Sequence, residues 1–248
     1  MMKFHWLTLG TAALALAGCN QAADNTSAAA NGTATASGPV APPPGGDWTQ
    51  VVSQTPEGGF RMGNPDAPVK LVEYLSLTCP HCAEFAETGM PGIQNYVKKG
   101  TVSLEVRNYV RDPLDVTATL IARCQGGPAY FSMTEQALAQ QTALLTKAQG
   151  LPPAELQRIS SLPPNEQFKA FARLLGLDQF AKQRGVPEAK MDACLADKAA
   201  LDQLVAMQKY ANETVQIPGT PAFLLNGQLL QNAGTWQQLE PQLKQAGA

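Results

Sequence analysis

Apolar and polar positions divide the chain into three stretches of different rhythm. Residues 1–18 hold one short apolar core, Trp6 to Ala17, behind the single charge of Lys3. Residues 19–46 show no apolar period. Ala, Asn, Thr, Ser and Gly give way there to Pro39-Val40-Ala41-Pro42-Pro43-Pro44-Gly45-Gly46, a composition that reads as a disordered tether with a stiffer end. From 47 to 248 the chain shows strand and helix spacings. Gln50-Val51-Val52 and Phe60-Arg61-Met62 are strand-like pieces parted by Pro-Glu-Gly-Gly. Val69 to Leu77 is a mostly apolar run between turn residues, as a buried central strand requires.

A helix is expected from Pro80, with Cys82, Phe85 and Ala86 on one face; Gly89 and Pro91 break or kink it, and it resumes through Ile93, Tyr96 and Val97 to stop at Gly100. Val102 to Val110 is the next strand. From Pro113 to about Glu213 the spacing is helical almost throughout. Asp112-Pro113 starts a helix that continues through Leu120, Ile121 and Cys124. Phe131, Leu138, Leu144 and Leu145 suit a second helix, and Phe168, Phe171, Leu174 and Leu175 another, with ends at Gly150, Gly176 and Gly185. Leu224 to Leu230 reads as two short strands joined at Asn226-Gly227, a type I′ hairpin signal, and a final helix starts near Thr235.

The chemistry concentrates at Cys79-Pro80-His81-Cys82, where the apolar strand meets the helix. A cysteine at a helix N-terminus lies beside unpaired N–H groups and the positive end of the dipole, which favour the thiolate. Pro80 suits the first helical turn because it has no N–H to leave unsatisfied. A protonated His81 adds positive charge, and Cys82 lies one turn on, within reach of a disulfide. A Cys-x-x-Cys pair is also half of many zinc sites. A closed zinc site takes four ligands, and past residue 18 the chain offers no second such pair and no other histidine, so no metal is expected.

Val72-Glu73-Tyr74-Leu75-Ser76-Leu77-Thr78-Cys79-Pro80-His81-Cys82 resembles the active-site strand and helix of the DsbA-like thiol-disulfide oxidoreductases of the thioredoxin superfamily. Ile217-Pro218-Gly219-Thr220-Pro221-Ala222-Phe223 resembles the superfamily's cis-proline loop, and the resemblance covers roughly residues 66–246. It implies a thioredoxin fold, a mixed α/β sheet flanked by helices, with a large helical insertion at about 113–213 inside a domain at 47–248. It implies Cys79 as nucleophile, with an exposed sulfur, and Cys82 as the buried resolving thiol. Glu73, six residues before Cys79, stands where the family keeps a buried acid. A solvated strand residue is the other reading of Glu73, which its apolar neighbours disfavour. The family pairs that acid with a lysine on the next strand, and Arg107 is the nearest basic residue here. Gly219, Thr220 and Pro221 would bind an extended client segment through the Thr220 backbone. Valine stands at position 220 in the best-known oxidases, and threonine there is familiar from isomerases and reductases.

Residues 1–18 read as an export signal, too short to span a bilayer comfortably. Leu16-Ala17-Gly18-Cys19 resembles a bacterial lipobox, which would make Cys19 the lipidated N-terminus; an ordinary secretory signal cut a little later is the alternative. Asn20 in place of a retention Asp points to the outer membrane by analogy with lipoprotein sorting. Lipidating Cys19 leaves four of five cysteines: the redox pair, and Cys124 with Cys194, either bridged or two buried free thiols. Removing Lys3 leaves 17 basic against 20 acidic side chains (18 − 1 and 20, a net of −3). That balance, without a basic run, argues against nucleic acid. The sequence therefore predicts a monomeric, lipid-anchored, periplasmic enzyme whose one redox group is the Cys79–Cys82 disulfide. Its partners would be unfolded or partly folded exported proteins and a membrane redox protein that recycles it. A reductase or isomerase of the same fold, or a copper-handling lipoprotein using Cys79 and Cys82 as soft ligands, are the alternatives.

Overall fold

The computed structural model describes residues 42–248. The expected export signal, Cys19 and the expected tether up to residue 41 lie outside them. Pro44–Gly46, assigned above to the tether, instead forms one 3-10 turn, closed by the Gly46 N–H on the Pro43 carbonyl at 2.8 Å.

Six strands form one sheet in the order β1-β2-β4-β3-β5-β6. They are β1 (Val52–Gln54), β2 (Phe60–Met62), β3 (Val69–Leu75), β4 (Val102–Asn108), β5 (Ala222–Leu225) and β6 (Gln228–Leu229). The first strand starts two residues later than its apolar pattern suggests. Asp47 accepts from both the backbone and the hydroxyl of Thr49, which favours a turn at Trp48–Gln50 over extension.

Strand β3 is the hub, parallel to β4 and antiparallel to β5. A parallel pair needs a crossover, supplied here by α1 (Pro80–Thr88) and α2 (Met90–Lys98). Side-chain alternation sorts β3 into two layers. Val69, Leu71 and Leu75 join the main core with Phe85, Ile93, Val97, Leu239 and Leu243, whereas Tyr74 packs with Ala211, Ala222 and Leu224 on the other face.

The helical block comprises α3 (Pro113–Arg123), α4 (Gly127–Ala139), α5 (Gln141–Gln149), α6 (Pro153–Ser160), α7 (Pro164–Leu175), α8 (Leu177–Gln183), α9 (Glu188–Leu195) and α10 (Lys198–Tyr210), then one π turn at Ala211–Val215. The expected architecture is therefore observed: a thioredoxin fold with a large helical insertion. Two details differ. Phe131 to Leu145 is two helices broken at Gln140, not one. The buried stripe of α7 is Phe168, Ala172 and Leu175, leaving Leu174 44% exposed. Cys124, at the end of α3, is disulfide-bonded to Cys194 in α9.

The chain closes with the β5–β6 hairpin and α11 (Trp236–Gln245), which starts at a Thr235–Gln238 capping box. Asn226 and Gly227 have φ of 50° and 84°, as a type I′ turn requires. The Asn226 side chain accepts the Lys70 N–H, which fastens the hairpin to β3. A Cβ on Gly227 would meet nothing within 4 Å. Gly227→Val is therefore expected to cost about 1–2 kcal/mol through backbone conformation alone, read as a lower urea midpoint at unchanged slope.

Candidate active site

Cys79 is the N-cap of α1, with extended backbone at φ −92° and ψ 117°, and Pro80 opens the helix. Its thiol donates to the Thr220 carbonyl at 3.1 Å, and the Thr220–Pro221 peptide is cis. The two regions, 141 residues apart, thus meet at one sulfur. Thr220 and Pro221 are half-buried, and Gly219 is exposed. Cys79 is not openly exposed: only 5% of it is accessible, against 0% of Cys82.

The two sulfurs differ strongly in acidity. The Cys82 thiol donating to Cys79, with help from the Thr220 side chain and the backbone N–H groups of Cys82 and His81, brings the Cys79 thiol down to about 5 against the cost of burial. Burial pushes Cys82 far up, reinforced by its hydrogen bond to Cys79 and by the Glu73 charge. The pair is therefore one thiolate and one thiol at neutral pH. The His81 imidazole does not lie over the sulfur. It is 79% exposed, 3.6 Å from Glu84, and what reaches Cys79 is the His81 backbone N–H.

Glu73 is buried on the main-core face of β3, between Val106 of β4 and Phe223 of β5, and Phe223 in turn packs on Phe85 at 4.7 Å. Its Oε2 has no hydrogen-bond partner, and burial raises the carboxyl to about 8. Arg107 does not reach it. Val106 is the register partner of Glu73, so its neighbour Arg107 leaves β4 from the opposite face. There Arg107 is held by Glu105 at 2.7 Å and lies 3.8 Å from Glu57. A protonated acid without a cation thus lies beneath the redox pair.

A family model described as Thioredoxin matches residues 55–245. The chain belongs to the thioredoxin family. A structure titled protein-disulfide isomerase, from Novosphingobium aromaticivorans, is 30% identical, covers 76% of this chain and 97% of its own, and superposes with a TM-score of 0.72. Alpha-DsbA1 of Wolbachia pipientis shares the fold at 18% identity and a TM-score of 0.61, over 77% and 92% of the two chains. A Rickettsia bellii protein is 23% identical over 184 residues, and the match spans 74% of this chain but 62% of that relative's length.

In this thioredoxin-family site, sequence reasoning missed the side chains that hold the turn before Cys79. Asp115 of α3 accepts from the Ser76 hydroxyl at 2.6 Å, the Leu77 N–H at 3.0 Å and the Arg111 N–H at 3.1 Å. Gln141 of α5 donates to the carbonyls of Leu77 and Cys79, both at 2.9 Å. Arg111 donates to the Thr78 carbonyl at 3.3 Å. Asp115 carries the same signal as Glu73, an acid inside an apolar run (Leu114 to Ala122). Gln141 has no local signal. Beside Pro80 opens a groove of about 680 Å³ between α1–α2 and α4–α5, with Ala86, Met90 and Leu138 among its apolar walls. Among the described residues, no three His, Cys, Asp or Glu side chains converge to hold a metal ion.

Proposed function

We propose that this protein is a thiol-disulfide oxidoreductase that introduces disulfides into unfolded or partly folded exported proteins. In this reading it works as a monomer, held by a lipid on Cys19 at the periplasmic side of a bacterial membrane. The observation that carries the activity is the unequal pair: Cys79 as a stabilised thiolate at the mouth, Cys82 as a buried thiol behind it. A client thiolate attacks Cys79 Sγ of the Cys79–Cys82 disulfide, and Cys82 leaves and takes up a proton. A second client thiolate attacks the client sulfur of the mixed disulfide, and Cys79 leaves as thiolate. The client is oxidised by two electrons, which a membrane redox partner then removes from the pair. Glu73, protonated at neutral pH, is placed to supply the proton that Cys82 gains. The Thr220 backbone pairs with the extended client, as strand addition does with little regard to sequence, and the groove beside Pro80 gives the rest of that chain room.

Lowering one thiol to about 5 stabilises the dithiol. Relative to an ordinary thiol, that amounts to about two powers of ten at pH 7, or roughly 60 mV toward a stronger oxidant. The anchor rests on Leu16-Ala17-Gly18-Cys19, and the exported setting also agrees with the Cys124–Cys194 bridge. The Rickettsia relatives carry a provisional description as protein-disulfide oxidoreductases.

A second reading, isomerase or reductase, is favoured by Thr220 and by the likeness to the Novosphingobium protein-disulfide isomerase. Equilibration of the full chain with glutathione separates the two. The redox state is read in the tryptic peptide 71–98, which holds Cys79 and Cys82 and no other cysteine. A potential near about −120 mV, that of DsbA, is the expected result. A value near −180 mV, as for protein disulfide isomerase, or about −270 mV, as for thioredoxin, would replace the oxidase with the second reading.

A further inference from the structure

The backbone of residues 76–79 is neither strand nor helix, yet four of its polar groups are held from outside the segment. Leu77 has both: its N–H is taken by Asp115 and its carbonyl by Gln141. The Thr78 carbonyl is taken by Arg111, and the Cys79 carbonyl by Gln141 together with the first N–H groups of α1. The Ser76 hydroxyl, bound by Asp115, also accepts the Thr78 N–H at 3.2 Å. Asp115 and Gln141 are both inaccessible, at 0% and 2%. Arg111, Asp115 and Gln141 come from the helical insertion and its approach, so the turn that presents the nucleophile is gripped by a different part of the fold.

We infer that Gln141, with Asp115, is a positioning residue for the redox pair: the insertion holds residues 76–79 so that the N–H groups of His81 and Cys82 converge on Cys79 Sγ. This rests on the oxidoreductase reading above. The physical reason lies at the helix start. Besides the Cys82 thiol and Thr220, the thiolate is stabilised by N–H groups of α1, whose direction relative to the sulfur depends on the Cys79 backbone angles. The Gln141 amide spans that residue, with one donor on the Leu77 carbonyl before it and one on the Cys79 carbonyl itself. Ser76 acts at the second sulfur, since its backbone hydrogen-bonds Cys82, and Asp115 fixes Ser76. A buried carbonyl that loses its donor moves to find another, and here movement re-aims the groups that face both sulfurs.

Gln141→Met keeps the side-chain length and removes both donors. In the full-length protein, the Cys79 alkylation rate against pH, read in peptide 71–98, is expected to shift by about one pH unit toward ordinary thiol behaviour. The glutathione equilibrium constant is expected to move about tenfold toward the disulfide, about 30 mV. Ile159→Ala empties a buried position in α6, a helix of the same insertion that makes none of the turn's hydrogen bonds, so it separates positioning from stability. It is expected to lower the melting temperature and to leave both redox readings within twofold of the wild type. Asp115→Asn, which places a donor opposite the Arg111 N–H, should move them in the same direction as Gln141→Met. If Gln141→Met melts lower but keeps wild-type alkylation and equilibrium, or if Ile159→Ala shifts them equally, the inference is wrong. A wild-type pair that does not exchange with glutathione would instead overturn the oxidoreductase reading itself.

Discussion

Glu73→Gln is expected to stabilise the protein by about 3 kcal/mol at pH 7 and hardly at all at pH 4. The carboxyl ionises near 4.5 in an unfolded chain and near 8 in the native core, where burial is the cause. Between those values the native state holds a proton that the unfolded state has released. Stability therefore falls as pH rises from 4.5, by about 1.4 kcal/mol per unit, and levels off above pH 8 after a loss of roughly 5 kcal/mol. Glutamine does not titrate and escapes this slope. Arg107, turned to the other face by strand parity, offers the carboxylate no compensation. Urea unfolding of both proteins from pH 4 to 9, with disulfides intact, measures the difference directly. A gap that does not grow with pH would mean that Glu73 is ionised in the native protein and has found a partner or water.

The second large effect is expected from removing the Cys124–Cys194 bridge. It closes a loop between residues 70 apart in sequence, and releasing that constraint on the unfolded chain is worth about 4 kcal/mol in the chain-entropy model. For a chain of this size each kcal/mol moves the melting temperature by about 2–4 °C. A Cys124→Ala, Cys194→Ala double variant should therefore melt on the order of 10 °C lower. The bridge joins the end of α3 to α9, and α3 also carries Asp115. A drop of under about 1 kcal/mol would show that the unfolded chain already holds these segments together.

What the sequence disclosed follows from how local each signal is. Strand β3 reads directly from the apolar run between two turns, and the hairpin from Asn226-Gly227, because a few adjacent residues determine each. The fold class follows from the order of such pieces. The side on which Arg107 lies was not legible: Val102, Leu104 and Val106 alternate with Ser103, Glu105 and Arg107, but only the pairing of Glu73 with Val106 says which of these sets shares the face of Glu73. Nor was the break at Gln140, because neither glycine nor proline marks it. Gln141 was hidden for a different reason. A glutamine among helical polar residues looks solvated until the fold carries it onto carbonyls 62 and 64 positions away. The His81 charge was read from adjacency alone, and the rotation of the first helical turn directs that ring to Glu84 and solvent.

The grip on residues 76–79 also carries a schedule. During synthesis Cys79 appears 62 residues before Gln141 and 141 residues before Thr220. At about 5–20 residues per second, the second interval lasts roughly 7–28 s. Throughout it Cys79 lacks the Thr220 carbonyl, and for the first 62 residues its turn also lacks the Gln141 donors. The complete surroundings of the Cys79–Cys82 pair thus form only after residue 220 has arrived.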